Sequence, residues 1–233
     1  MSRIEKKHIR IALVLLACLV STFIGAGLGY STRSLYTAPI TADLEISRSS
    51  YNLSYTVASL ICMAISFNFG RIKAALGSYK RICLVGMFAL VLGDLIGANN
   101  QSILTVYLAT TLITLGFNWT SSVPMTGIVS NWFSKNYGLV LGIVLSGTSL
   151  GGSIFSPIVS NWIEGSGWRS AYLYSAVIIG VGLLFILFAM KESPDGSTKA
   201  VKEKKKYKFD TALLRDRNFY LLGFAMALMP FSL

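Results

Sequence analysis

The hydrophobic residues of this chain form long uninterrupted stretches and do not alternate with polar ones. A helix needs about 20 apolar residues to cross a bilayer. Six stretches reach roughly that length, near residues 11–32, 51–70, 82–99, 103–126, 138–160 and 169–190. A seventh begins near Phe219 and has 15 residues up to Leu233, too few to span by itself. Because the alternation typical of membrane barrel strands is missing, the pattern predicts an all-α integral membrane protein.

Composition supports this prediction. Of the 233 residues, 53% are hydrophobic and 13% are charged, whereas a soluble domain has about 25% charged residues. The 3 cysteines, Cys18, Cys62 and Cys83, all lie in apolar stretches. An odd number of cysteines in such positions excludes a disulfide scaffold and predicts buried thiols.

The positive charges predict the orientation. If the N-terminus is cytoplasmic, all but three of the 21 Lys and Arg residues fall on the cytoplasmic side; the exceptions are Arg33, Arg48 and Arg169. This asymmetry predicts a multi-pass protein of the cell membrane with a cytoplasmic N-terminus. It also explains the net charge of +11 without nucleic acid, because the basic segments face anionic lipid headgroups. A cleaved signal peptide is the alternative for the first stretch, whose apolar run is longer than such peptides carry.

Residues 191–217 are rich in lysine and other polar residues, which predicts a flexible cytoplasmic linker. We therefore expect three regions: a six-helix transmembrane bundle over 1–190, the basic linker over 191–217, and the truncated start of a second bundle over 218–233. A C-terminal bundle would then be missing from this chain.

The connection between the second and third stretches carries a glycine–basic motif. It runs from Gly70 and Arg71 to Gly77, and then to Lys80 and Arg81. This motif resembles the loop signature of the major facilitator superfamily, although Ala74 and Ala75 stand where that signature has an acidic and a basic residue. The resemblance implies a six-helix half of a two-bundle transporter and a gating role for the loop.

Two further segments resemble the same superfamily. Asn131–Gly138, followed by regularly spaced glycines and a proline, is similar to the fifth helix of oxalate/formate antiporter-like and monocarboxylate transporter-like branches. The spacing of four favours close helix packing; the residues concerned are Gly138, Gly142, Gly147, Gly151 and Pro157. Gly167-Trp168-Arg169, before the sixth stretch, is also similar to an element of the superfamily.

Polar residues recur at helical spacing inside the stretches and predict a substrate cavity. The candidates for lining it are Arg33, Tyr36, Tyr55, Thr114 and Asn118. Arg33 is the sharpest, because a guanidinium can bind a carboxylate through two hydrogen bonds; the alternative is that it extends to the outer interface. Asp94 is the only acidic residue well inside a stretch, and a proton site, a packing role and a position near the outer surface all remain open.

Catalytic chemistry is disfavoured. Gly147-Thr-Ser149-Leu-Gly151 matches the G-x-S-x-G pattern, but it lies in an apolar helix, and the only histidine is His8 in the N-terminal tail. Neither metal-ligand spacing nor a Walker-type phosphate loop occurs. We therefore expect no enzyme activity, no cofactor and no metal.

These observations predict secondary active transport of a small solute, which we expect to be an organic anion such as a carboxylate, by alternating access. The expected partners are that solute and the lipid bilayer. The alternatives are a non-transporting membrane receptor or scaffold, a non-functional fragment, and a drug or sugar transporter of the same superfamily.

Overall fold

The computed structural model of the protein describes residues 3–133 and 136–193, with residues 3–8 described by their backbone alone. The eight α-helices of this part are α1 (Arg3–Ala26), α2 (Thr37–Asp43), α3 (Arg48–Phe67), α4 (Phe69–Leu76), α5 (Tyr79–Ala98), α6 (Ile103–Thr120), α7 (Ser122–Trp132) and α8 (Tyr137–Ala189). A π-helical turn at Gly27–Ser31 and a 3₁₀ turn at Arg33–Tyr36 join α1 to α2.

Five helical segments in the described ranges are long and apolar enough to cross a membrane. The last of them, α8, has 53 residues, about 80 Å of helix and far more than one bilayer needs. Gly167 interrupts it with φ 83° and ψ 161°, so α8 consists of two helices. The six predicted spans and the all-α fold are therefore confirmed. The seventh apolar stretch and the linker beyond residue 193 lie outside the described residues.

Serine side chains set the starts of three helices. Ser47, Ser78 and Ser102 accept hydrogen bonds from the backbone N–H groups at the first turns of α3, α5 and α6, at 3.1, 3.1 and 3.4 Å. Short hydroxyl side chains are favoured at these positions because they bind N–H groups that have no partner inside the helix. Polar residues between the apolar stretches thus determine where these three helices begin.

Helix α1 lies against α6 and α8 and is joined to both by hydroxyl groups. Thr22 Oγ1 donates to the carbonyl of Val144 at 2.6 Å, and Ser21 Oγ donates to the carbonyl of Thr120 at 3.1 Å. Both hydroxyl-bearing residues are fully buried. Such bonds satisfy polar groups where no water is available and fix the register of neighbouring helices.

Two of the four predicted packing glycines lie at a helix contact. A Cβ atom at Gly147 would meet the Thr22 hydroxyl, and one at Gly151 would meet the backbone oxygen of Phe23. A Cβ atom at Gly138 or Gly142 would meet no atom of the described residues within 4 Å. Pro157 lies inside α8 with its side chain exposed. The packing role of these last three residues remains a prediction.

Candidate functional site

A cavity of about 570 Å³ opens between the segment that follows α1 and helices α3 and α6. Its wall is mostly polar or aromatic: Gly29, Tyr30, Ser31, Arg33, Ser34, Thr37, Asn52, Tyr55, Ser59, Thr114, Phe117 and Asn118. The Tyr30 and Phe117 rings stack in this wall, with centroids 4.9 Å apart. A small polar solute would find hydroxyl and amide groups on three sides. Arg33 borders the cavity, but its guanidinium nitrogens are buried.

The irregular backbone after α1 places Arg33 at this cavity. Gly27 and Gly29 lie in the π-helical turn, and a Cβ atom at either would meet a neighbouring side chain, Phe155 at 2.5 Å or Leu90 at 2.9 Å. Wide turns of this kind are frequent at functional sites because they shift the side chains that follow. The segment leaves Ser34 exposed towards the cavity while Arg33 is only 4% exposed.

Arg33 forms a buried ion pair with Asp94 of α5. Nη2 lies 2.8 Å from Oδ1, and the two side chains are 5% and 0% exposed. Nε and Nη1 of Arg33, and Oδ2 of Asp94, have no hydrogen-bond partner among the described residues. Asp94 is fully buried, one turn before the end of α5 at Ala98. The alternatives from the sequence, a proton site, a packing role and a position near the outer surface, remain predictions.

Two tyrosine rings lie side by side on one side of the guanidinium. Arg33 Cζ lies 5.6 Å from the ring centroid of Tyr36 and 5.4 Å from that of Tyr172, and the two ring centroids are 4.2 Å apart. Cation–π attraction of this kind is strongest where water is excluded. A third tyrosine, Tyr55, lines the cavity, and its hydroxyl lies 3.3 Å from that of Tyr51.

Four of the five predicted cavity residues line this one cavity: Arg33, Tyr55, Thr114 and Asn118. Tyr36 is fully buried and contacts Arg33 without lining the cavity. Asn118 Nδ2 donates to the carbonyl of Thr114 at 2.8 Å, one turn earlier in α6. Sequence reasoning did not find Tyr172 or Tyr30, because their roles depend on which helices come together.

The predicted loop residues lie outside this cavity. Gly70 and Arg71 belong to α4, Gly77 follows it with φ 74°, and Lys80 and Arg81 lie in the first turn of α5. Arg81 Nη1 donates to the carbonyl of Leu76 at 3.0 Å, and Lys80 Nζ donates to that of Leu187 at 2.7 Å. These bonds brace the connection; its gating role remains a proposal.

Among the residues described by the structure, no group of three or more His, Cys, Asp or Glu side chains is arranged to hold a metal ion. Ser149 of the G-x-S-x-G pattern lies within helix α8, without the strand and turn that a nucleophile of that type requires.

Three relatives found by comparison with known proteins are named as transporters. The chain is 24% identical over 220 residues to the oxalate:formate antiporter of Oxalobacter formigenes, a match covering 94% of this chain and 51% of the antiporter. It is 32% identical over 124 residues to monocarboxylate transporter 12 of Rattus norvegicus, covering 51% of this chain and 25% of that protein. A riboflavin transporter of Trypanosoma brucei brucei, RibJ, is 31% identical over 61 residues, or 26% of this chain and 11% of RibJ. The chain thus spans about half the length of the antiporter and less of the other two.

The family profile described as Major Facilitator Superfamily matches residues 13–233, almost the whole chain. Together with the confirmed all-α membrane fold, this match shows that the chain belongs to the major facilitator superfamily.

Proposed function

We propose that this protein takes part in secondary active transport of a small organic anion, with a carboxylate as the recognised group. The observation that carries this proposal is the buried guanidinium of Arg33, which lines the cavity and keeps two nitrogens without a hydrogen-bond partner among the described residues. Arginine presents N–H groups in a fixed fork that matches the two oxygens of a carboxylate.

The rest of the cavity suits a small, partly polar solute. Ser34, Ser59 and Thr114 supply hydroxyl groups, and the stacked rings of Tyr30 and Phe117 supply an apolar surface. The volume of about 570 Å³ falls in the range of small-molecule sites. Relatives named as an oxalate:formate antiporter and a monocarboxylate transporter support the same chemical class.

In the proposed cycle, the solute enters the cavity and its carboxylate binds Nε and Nη1 of Arg33, which are buried without a hydrogen-bond partner among the described residues and become accessible as the solute enters. A second bundle would close the opposite wall, and rocking of the two bundles would expose the site to the other side of the membrane. A counter-substrate or a proton gradient would supply the energy. The proposed location is the cell membrane, with a cytoplasmic N-terminus.

The test is counterflow in proteoliposomes that contain the protein expressed from its complete reading frame. Radiolabelled formate, oxalate and lactate are compared with glucose and with a quaternary ammonium cation. We expect saturable counterflow of at least one carboxylate and none of glucose or the cation. Flux of glucose or the cation alone would favour the sugar or drug alternative, and binding without flux would favour a receptor.

The matched pair of variants is Arg33→Ala and Arg48→Ala. Arg48 begins α3 and is exposed, whereas Arg33 is buried at the cavity. At matched expression we expect Arg33→Ala to lower carboxylate uptake more than Arg48→Ala. Equal uptake by both variants would remove Arg33 from the site.

A further inference from the structure

Asp94 is an unusual residue for the interior of a membrane helix bundle. It lies in α5, fully buried, and neighbours such as Leu90 and Gly93 are buried as well. A carboxylate at such a position is strongly unfavourable unless a cation neutralises it. Among the described residues its single ion-pair partner is Arg33.

Asp94 contacts the guanidinium of Arg33 through one nitrogen atom. Only Nη2 approaches the carboxylate, at 2.8 Å, so the contact is not the two-bond fork that arginine and aspartate often form. Nε and Nη1 remain without a hydrogen-bond partner in the described ranges. Asp94 therefore neutralises the charge of Arg33 while Nε and Nη1, although buried, keep unused hydrogen-bond donors.

No other polar group of the described residues holds this guanidinium. The guanidinium carbon lies over the neighbouring rings of Tyr36 and Tyr172, whose cation–π attraction does not fix the direction of the N–H groups. The backbone at Arg33 is a single 3₁₀ turn after a π-helical turn, which is less rigid support than a regular helix. Without Asp94 the guanidinium would have no fixed orientation towards the cavity.

We propose that Asp94 is the positioning residue of the anion site: it holds Nη2 of Arg33 beside the cavity, so that the unused donors Nε and Nη1 bind the carboxylate of a solute that enters. This inference rests on the proposed function. Asp94 itself is absent from the cavity wall, so it acts through Arg33 and does not touch the substrate.

The experiment measures carboxylate counterflow kinetics in proteoliposomes for the complete protein and four variants. Asp94→Asn removes the charge, and Asp94→Glu keeps a carboxylate on a longer side chain. Arg33→Gln combined with Asp94→Asn removes both charges and leaves no unpaired buried ion. Asp43→Asn is the matched control, because Asp43 pairs with Arg169 at 2.7 Å but both side chains are almost half exposed.

We expect Asp94→Asn to raise KM at least tenfold, with Vmax per folded protein within about twofold of wild type, since the orientation of Arg33 is lost. The variant should also be less stable, because Arg33 is left buried without its partner. Asp94→Glu should recover part of the affinity. The double variant should fold and show no saturable carboxylate counterflow, and Asp43→Asn should keep the wild-type KM.

A wild-type KM in Asp94→Asn would overturn the positioning role while leaving the proposed transport intact. If Asp94→Asn does not fold, Asp94→Glu decides: a raised KM supports the role and a wild-type KM contradicts it. If the wild-type protein transports no carboxylate, the proposed function is refuted. That result is distinct from one that refutes only the positioning role of Asp94.

Discussion

The carboxylate of Glu192 accepts a 2.9 Å hydrogen bond from the backbone N–H of Lys80, and its other oxygen accepts one from Tyr79 at 3.1 Å. The side chain of Lys80 in turn donates to the carbonyl of Leu187, in the last turn of α8. Each charge therefore lies at the helix end that favours it, an anion at the start of α5 and a cation at the end of α8. Trp132 Nε1 adds a bond to the carbonyl of Lys191 at 3.0 Å.

Replacing Glu192 should loosen this end of the bundle. Glu192→Ala removes the acceptor for two N–H groups at the start of α5, and loss of such a cap costs about 1 kcal/mol. We expect the midpoint of thermal unfolding to fall by about 2–4 °C. A thiol-reactive fluorophore suits the measurement, because Cys18, Cys62 and Cys83 are all buried. The control is Glu164→Ala, an exposed residue of α8 that, within the described ranges, accepts a hydrogen bond from Ser160 alone; equal midpoints in both variants would contradict the role of Glu192.

The glycines of α8 should differ in their tolerance of a methyl group. Gly151→Ala places a Cβ atom against the backbone oxygen of Phe23, which cannot move without shifting α1. Overpacking of this kind costs about 1–3 kcal/mol, so we expect a lower unfolding midpoint. Gly142→Ala meets no described atom within 4 Å and should be neutral or slightly stabilising. The same fluorophore assay compares the two variants, and an equal fall in their unfolding midpoints would refute the close packing at Gly151.

The two glycines of the loop motif should also behave differently. Gly77 has φ 74°, a conformation that costs an L-residue about 1–2 kcal/mol, so Gly77→Ala should destabilise the protein. Gly70 lies in helix α4 with open space around it, so Gly70→Ala should do no harm. Unfolding midpoints of the two variants, measured side by side, decide this; a neutral Gly77→Ala would contradict the backbone geometry.

The two ion pairs should contribute unequally to stability. Arg33→Gln leaves Asp94 buried without its partner, for which about 3–5 kcal/mol of destabilisation is expected. Adding Asp94→Asn should restore most of that loss, because no buried charge then remains. Asp43→Asn breaks a half-exposed pair with Arg169 and should cost less than about 1 kcal/mol. The free energy of unfolding of each variant is the measurement. If the double variant is as unstable as Arg33→Gln alone, the unpaired charge of Asp94 is not the cause of the loss.

The orientation can be tested with a membrane-impermeant maleimide on intact cells. Glu164→Cys places a thiol on an exposed residue between the last two spans, predicted to be outside, and Gly70→Cys places one in the connection predicted to be cytoplasmic. We expect Glu164→Cys to react in intact cells and Gly70→Cys to react only after permeabilisation. Wild type is the control, since its cysteines are buried; the reverse pattern would invert the proposed orientation.

The sequence determined the class of the fold and the number of described spans. Long apolar stretches can only form helices in a bilayer, where each backbone polar group must be satisfied within its own segment. The break between the fifth and sixth spans was also readable, since it lies at the Gly167-Trp168-Arg169 element. The end of the first span could not be predicted from the sequence, because the chain continues from α1 through two irregular turns to Asp43.

The candidate site was only partly readable. Helical spacing identified the residues of α3 and α6 that share a face, and the structure places Tyr55, Thr114 and Asn118 at one cavity. Spacing could not pair Arg33 with Asp94, which are far apart in the chain and come together because the 3₁₀ turn after α1 packs beside α5. It also could not bring Tyr172 to Arg33 or Glu192 to the start of α5.

Hydrophobic pattern and charge are properties of single segments, so the sequence by itself determined that this chain crosses the membrane repeatedly as helices and which residues are polar within them. Which polar residues meet is a property of helix packing. Only the tertiary structure decided that Arg33 is neutralised by Asp94 and still borders the cavity. The physical reason is that a buried charge is stable only beside its partner, and packing alone selects that partner.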